Sequence, residues 1–332
     1  MKDCVIYTNS ILRTNNSYIG VKTIRCAGAN FEATNIQSDI YCCGDLIINN
    51  LNQNPNKAGY FPMDTSDYTS QSNPSLNFVN NGKLQYNYVH GTDKVPNLYY
   101  YYNPDSEYPE RNSRFENRNN SVIGNDPWAG YIADGGMIMS DDDYVLKDIP
   151  ELDVFPSTDT TKNIYVPQLG TYEFTQDDSN YYDSEKKIFR AYNFSTANQA
   201  TVTFNPGEYH FKSWNRCETQ LTIIIPKFDN NDQYVKIFVE DTIDISNSLK
   251  IINNNIDRFD EEGHLRCDSL LIYTRNGDIK FAASNTKEGY DKQIGILVAP
   301  NGTIELSNTC IWRGSTWAKN INVLADSEYH IV

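Results

Sequence analysis

The chain has 332 residues, of which 39% are hydrophobic and 13% aromatic, with a formal net charge of −15. Its length supports one large domain or two smaller ones, and 24 Tyr with 14 Phe supply more apolar area than a disordered chain carries. The acidic balance argues against a nucleic-acid partner, since no Lys/Arg run exceeds Lys186-Lys187, and the longest apolar run, Leu221–Pro226, cannot span a membrane as a helix.

In chain order, residues 1–50 begin with "MKDCVIYTNSILRTNN", which lacks the apolar stretch and cleavage site of an export signal. Two readings stand at this point: a cytoplasmic protein, or a mature portion whose signal has been removed. Helical periodicity is scarce, and Val, Ile, Thr and Tyr dominate the apolar runs, as suits pleated strands. A step of 17 residues links Tyr7, Ile24 and Tyr41, then Leu12, Ala29 and Leu46, and then Thr14, Phe31 and Ile48. The stretch therefore reads as about three stacked rungs. Cys26 and Cys43 fall in the same register, at a strand spacing of ~4.8 Å that admits either a disulfide or two stacked thiols.

Across residues 51–135 the alternation fades, and Asn, Pro, Ser and Tyr become dense, as in "NLYYYYNPDSEYPERNSRFENRNN". This predicts a long irregular lateral insertion. It holds the run Tyr99, Tyr100, Tyr101 and Tyr102, with Trp128 further on. Aromatic faces stack on sugar rings, so these five are the candidate ligand-binding residues, with packing of the rings onto a wall as the plainer alternative. Residues 136–164, including "LKDIPELDVFPSTDT", form a proline-containing connector.

Rungs resume over residues 165–332. "LGTYEF" at 169–174 returns as "PGEYHF" at 206–211, an offset of 37. Ile243 and Ile245 precede Ile279 and Phe281 by 36, a step of two rungs or of one rung carrying the polar loop "NNNIDRFDEEGH". Ile279 and Phe281 precede Ile304 and Leu306 by 25, and these precede Ile321 and Val323 by 17. Asn276-Gly277 between alternating runs has the form of a two-residue hairpin turn. The same dipeptide serves equally as the corner of a solenoid, because Asn and Gly tolerate positive φ. Pattern alone leaves an antiparallel sandwich and a solenoid both open.

The phrases "NPGEYHFKSW" (205–214), "VKIFVEDTIDISNS" (235–248) and above all "IGILVAPNGTIELSNTCIWRGSTWAKNINV" (294–323) carry a resemblance. They resemble the β-helical domain of bacterial surface and pilus-associated proteins. Similarity to bactofilin-like polymer-forming solenoids and to ice-binding β-helices is looser. The resemblance covers residues 165–332, admits the first 50 as further rungs, and leaves 51–165 unmatched. It implies an all-β fold, a right-handed parallel β-helix, with Asn276-Gly277 as a corner. It further implies a non-enzymatic structural or adhesive module, extracellular or at the cell surface. Polysaccharide or other surface components, a pilus-like assembly and self-association through terminal rungs are the partners it suggests.

Other chemistry is thinly represented. A glycosidase needs two carboxyls across one cleft, and 43 acidic residues make such a pair available anywhere, so availability decides nothing. The Asp, Asp-Asp, His-Gly, Arg-x-Lys order of polygalacturonase-like enzymes is absent, because His90-Gly91 precedes Asp177-Asp178. A β-helical polysaccharide lyase or glycoside hydrolase is the alternative function, and a viral or phage spike component the third. "SDDDYV" (140–145), "FDNNDQ" (228–233) and "DRFDEEGH" (257–264) are oxygen-rich but lack EF-hand spacing, so Ca²⁺ is a weak expectation and no other cofactor is expected. Seven Cys without a CxxC and four dispersed His give zinc no ligand set. "TVTF" (201–204) is a single instance rather than the Thr array ice binding requires.

Overall fold

The computed structural model describes residues 5–15, 17–20, 23–32, 35–36, 39–42, 46–49, 51–52, 76–80, 83–86, 89–90, 98–99, 114–117, 162–215, 220–258, 266–283, 292–308, 310–324 and 327–330. Among these residues the fold is all-β, without an α-helix. The N-terminal strands are β1 (Val5–Asn15), β2 (Tyr18–Gly20), β3 (Thr23–Glu32), β4 (Asn35–Ile36), β5 (Asp39–Cys42) and β6 (Leu46–Asn49). Next come β7 (Leu51–Asn52), β8 (Leu76–Asn80), β9 (Lys83–Tyr86), β10 (Val89–His90), β11 (Leu98–Tyr99) and β12 (Arg114–Asn117). The C-terminal part starts with β13 (Ile164–Val166), β14 (Thr171–Phe174), β15 (Tyr182–Asp183), β16 (Ile188–Thr196), β17 (Ala200–Phe204), β18 (Gly207–Asn215) and β19 (Leu221–Ile225). It ends with β20 (Val235–Val239), β21 (Ile243–Asn253), β22 (Leu270–Thr274), β23 (Ile279–Ala283), β24 (Ile294–Ser307), β25 (Ile311–Leu324) and β26 (Glu328–His330).

Strict alternation makes these segments strands. In "ATVTF" and "LTIII" every second side chain is buried, the period that places one face of a strand inward. Pairing is parallel throughout except between β15 and β16. It organises into three ladders. The first runs through Phe189, Tyr209, Ile237, Ile272, Leu297, Thr316, Ile6, Ile24, Ile40 and Phe78. The second runs through Ile164, Phe194, Trp214, Ile243, Ile279, Ile304, Ile321, Leu12, Ala29, Leu46, Leu84 and Phe115. From Ile164 to Ala29 no member of that column is more than 3% exposed. Full burial of each such aliphatic or aromatic side chain contributes about 1.5–3 kcal/mol, which makes the column the axis of the core. The third ladder links Tyr172, Val202, Ile223 and Ile251, and later Trp312, Tyr329, Ile19 and Ile36. Long strands turn from one ladder to the next, so β18, β20, β22, β24, β23 and β21 close into a ring of pairings.

The order along the stack differs from the order along the chain. β1 pairs with β25 on one side and β3 on the other, so the N-terminal strands lie beyond the C-terminal ones. The C-terminal strand row is thus covered by the same chain. Within 51–135, expected to be an irregular insertion, the described residues are strands: β8 pairs with β5, β9 with β6 and β12 with β9. At the opposite end the core is aromatic. Phe174, Phe189, Phe194, Phe204, Tyr209 and Phe211 pack with ring centroids 4.8–6.0 Å apart. Tyr172, Tyr181 and Tyr182 close over them.

The Asn276-Gly277 corner is not a hairpin. β22 and β23 do not pair with each other, and the Arg275 and Asn276 amides donate to the Val239 and Glu240 carbonyls of the preceding layer at 3.0 and 2.9 Å. The 36-residue step is a single layer, with Ile243 directly on Ile279. "LGTYEF" and "PGEYHF" are not equivalent, because Phe174 stacks on Phe204 in the third ladder while Phe211 stacks on Ala191 in the first. The 17-residue step holds for Leu12, Ala29 and Leu46 but not for Tyr7, which pairs with Arg25, nor for Cys26, which pairs with Cys42 rather than Cys43.

Candidate functional site

The outer face of the first ladder carries the densest polar chemistry among the described residues. On β18, Tyr209 and Phe211 point into the core, so alternation sends Glu208, His210 and Lys212 to the opposite face. Register then builds rows across the layers. One outer row runs Arg190, His210, Phe238, Tyr273, Val298, Trp317 and Tyr7. A flanking row runs Ile188, Glu208, Lys236, Leu271 and Ile296.

The central row is buried although it faces away from the core. His210 is 0% exposed, Phe238 6% and Tyr273 3%. His210 sits edge-on to Phe238 at 5.3 Å, and Trp317 stacks on Tyr7 at 5.0 Å. Further along this face, Ile256 and Cys267 pack against Ile294 and Ile296. The loop that supplies Ile256 is held by a buried amide network. Asn255 Nδ2 donates to the Pro226 carbonyl at 2.8 Å, and Asn255 Oδ1 accepts from the Phe228 amide at 2.9 Å. Asn253 Nδ2 donates to Ser269 Oγ at 2.8 Å.

Glu208 is the hub of the cluster. Its carboxylate lies 3.7 Å from His210 Nε2, 3.5 Å from Lys236 Nζ and 3.5 Å from the Tyr234 hydroxyl. Lys236 also sits over the Tyr234 ring, 4.0 Å from its centroid, close enough for a cation–π contact. Arg190 approaches Asp183 at 3.9 Å. On the far flank Lys212 pairs with Glu240 at 3.5 Å and lies 5.9 Å from the Tyr192 ring. Tyr192 and Tyr234, 38% and 37% exposed, bracket the patch.

The electrostatics follow from these distances. His210 and then Lys236 hold the Glu208 carboxyl below its ordinary range, against the opposing effect of burial. Burial pushes the His210 imidazole down, with Glu208 pulling the other way. At neutral pH the cluster therefore sets a carboxylate beside a neutral imidazole. The 3.7 Å approach of His210 Nε2 to Glu208 is long for a hydrogen bond, so this contact is a weak one and Nδ1 is unsatisfied. Half-buried Glu208 and Lys236 and the exposed Tyr234 offer an acceptor, a donor and a flat face side by side. That set suits a hydroxyl-rich ligand whose apolar ring face lies on the tyrosine.

Of the residues predicted from sequence, Tyr99 lies in β11 beside Asn77 in register, while Tyr100, Tyr101, Tyr102 and Trp128 lie outside the described residues. So does "SDDDYV". In "FDNNDQ" the polar side chains serve the turn itself: Gln233 Oε1 accepts from the Asp229 amide at 2.8 Å and Asn230 Oδ1 from the Asp232 amide at 3.0 Å. Among the described residues no group of three or more His, Cys, Asp or Glu side chains is placed to hold a metal ion. No helix among them is long and apolar enough to cross a membrane. Thr171, Thr201 and Thr222 do form a short outer row, which Lys250 ends. No protein-family model, curated protein or solved structure matches this chain.

The Glu208 cluster escaped sequence reasoning because its members meet through register. Glu208 and Lys236 stand 28 positions apart, and only the layer spacing brings them together. The available signal was the polar pair Glu208 and His210 inside "PGEYHF", a phrase read only for its apolar positions.

Proposed function

We propose that the three ladders are the faces of a right-handed parallel β-helix, and that the protein is a non-enzymatic structural or adhesive module of a cell surface or pilus-like assembly. It binds polysaccharide along the outer face of the first ladder. The observation that carries this reading is the exposed Tyr234 ring with Lys236 over it and Glu208 beside it, on a rigid run of parallel layers. Sites on strands hold their side chains more narrowly than sites on loops, as recognition of a repetitive polymer requires. The extracellular location belongs to the same proposal, since surface polysaccharide is found there.

Co-sedimentation with a panel of insoluble and acidic polysaccharides, reading bound protein and released sugar ends together, tests it. Binding without release is expected, with Tyr234→Ala and Lys236→Ala each weakening it by about tenfold. Retention by both variants at the unmodified level would sink the assignment of the site.

One observation favours a second reading, a β-helical polysaccharide lyase or hydrolase. His210, Lys236 and Tyr234 bring an imidazole, an amine and a phenol within 3.7 Å of the single Glu208 carboxylate. Appearance of unsaturated products or new reducing ends, lost in Glu208→Gln, would select that reading over the adhesive one.

A further inference from the structure

The chain is two stacks joined end to end by pairing rather than by sequence. One is built from β13 to β26 and the other from β1 to β12, and they meet where β25 and β26 pair with β1 and β2. The covalent link lies elsewhere: it runs from Asn117, in the last layer of one stack, to Ile164, in the first layer of the other. The junction is held by ring stacking, side-chain hydrogen bonds and buried apolar residues as well as by strand pairing. Tyr7 stacks on Trp317 at 5.0 Å, and Ser17 Oγ donates to the Val323 carbonyl at 2.7 Å. Thr8 Oγ1 donates to the Lys319 carbonyl. Ile6, Leu12 and Ile19 of the N-terminal stack are completely buried.

We propose that this junction is an exchangeable interface, and that the partner its β25–β26 edge accepts besides its own N-terminal stack is the N-terminal stack of a second copy. This goes beyond the functional reading and does not depend on it. A second copy presents the same β1–β2 edge, so every junction contact is reproduced between copies without new chemistry, the condition for domain exchange. The choice between the two states is set by the connector. The second ladder has eleven pairings from Ile164 to Phe115, which at ~4.8 Å each make roughly 50 Å. Residues 118–163, about 46 in number, reach at most ~150 Å when extended, so closure within one chain is allowed. A covalent link that permits closure gives an effective concentration near the millimolar range, so the closed monomer dominates in dilute solution. A connector of about ten residues reaches only ~33 Å and forbids closure.

Deleting residues 123–158 in the full chain removes the reach and keeps every strand from β1 to β26. The expected result, by size exclusion with light scattering, is that the shortened chain is found at twice its own monomer mass or more, whereas the 38.0 kDa full chain runs as a monomer. Replacing 123–158 with a Gly/Ser stretch of equal length restores the monomer, which separates tether length from any contact those residues make. A folded monomer from the deletion, or multimers from the equal-length replacement, would overturn the proposal. A third measurement does not rely on the deletion folding. Arg13 and Asn322 face each other across the junction, so Arg13→Cys with Asn322→Cys forms a disulfide that reports who pairs with whom. Tagged and untagged copies of that chain, refolded together, are expected to give within-chain links at micromolar concentration and mixed-tag links near 1 mM. Within-chain links alone at every concentration would also overturn it.

Discussion

Gly277 and Gly302 occupy successive corners between the first and second ladders, and their neighbours leave no room for a side chain. A Cβ on Gly302 would stand 1.9 Å from the Gly277 carbonyl oxygen, and one on Gly277 would stand 2.3 Å from the Thr242 amide nitrogen. Both obstacles are backbone, so relief requires prising layers apart. Gly302→Ala is expected to cost about 3 kcal/mol or more and to lower the melting temperature by several degrees. Asn301→Ala, which removes one exposed hydrogen bond to the Arg275 carbonyl, should cost below about 1 kcal/mol. Equal effects of the two variants on thermal denaturation would refute the stacked-corner account.

Acid sensitivity at the same scale centres on His210. Its imidazole is held below the 6.5 of an exposed histidine by burial, so the unfolded chain takes up a proton there before the folded chain does. Stability from this site is complete above about pH 6.5 and is lost as the pH falls below it. Glu208 lies below its ordinary 4.5, so its contribution is present above that value and vanishes as the pH falls further. His210→Phe should flatten the melting-temperature profile between pH 7 and pH 5 and, because His210 is the main group holding Glu208 low, weaken the more acidic limb as well. An unchanged slope in that window would mean that other groups govern it.

At the level of elements, the loop between β21 and β22 depends on amides with no carbon substitute. Asn255 is 1% exposed and joins Pro226, Phe228 and Asn253 through three contacts of 2.8–3.0 Å. Asn255→Ala orphans the Phe228 amide and the Pro226 carbonyl, so a loss of about 2–4 kcal/mol is expected in a urea melt, with near-native exchange elsewhere. Asn255→Asp keeps the acceptor but sets a buried carboxylate oxygen against the Pro226 carbonyl and Asn253 Oδ1, so it should cost at least as much. A clear gain of Asp over Ala would place the role in the Phe228 contact alone.

The elements were legible wherever one face alone was apolar. Leu12, Ala29 and Leu46 kept their 17-residue step because the register of the second ladder runs from β1 through β3 to β6 without a slip at these positions. In "VIYT" the parity fails: Ile6 faces the core and Tyr7 the outer wall, yet both are apolar and buried, so spacing could not tell which one pairs with Ile24. The register also slips between Thr8 and Ile11, which shifts the first-ladder half of the layer against the second. "PGEYHF" and "LGTYEF" look alike because each follows a glycine corner, although they belong to different ladders. The outer cluster had no apolar period to betray it. What placed Glu208 against Lys236 was the depth of the intervening loop, which sequence pattern does not encode.

For the whole molecule, the informative fact is that the column Ile304, Ile321, Leu12, Ala29 crosses from one end of the chain to the other without a change of character. Stability in a stack of layers is approximately a sum of layer terms and nearest-neighbour interfaces. The interface between β25 and β1 therefore couples the two stacks as strongly as neighbouring layers couple within each. Leu12→Asp places a carboxylate between Ile321 and Ala29, where burial without a partner costs several kcal/mol. The damage falls on the junction and on the first N-terminal layer, both remote from the aromatic end around Phe174. In hydrogen exchange, β3 should then lose protection while β20 and β22 keep theirs, and calorimetry should resolve a second, earlier transition. Loss of protection throughout would mean that the C-terminal stack cannot stand without its N-terminal cover. Unchanged protection in β3 would mean that the two stacks do not share the Leu12 layer at all, and with it would go the continuity on which exchange between copies depends.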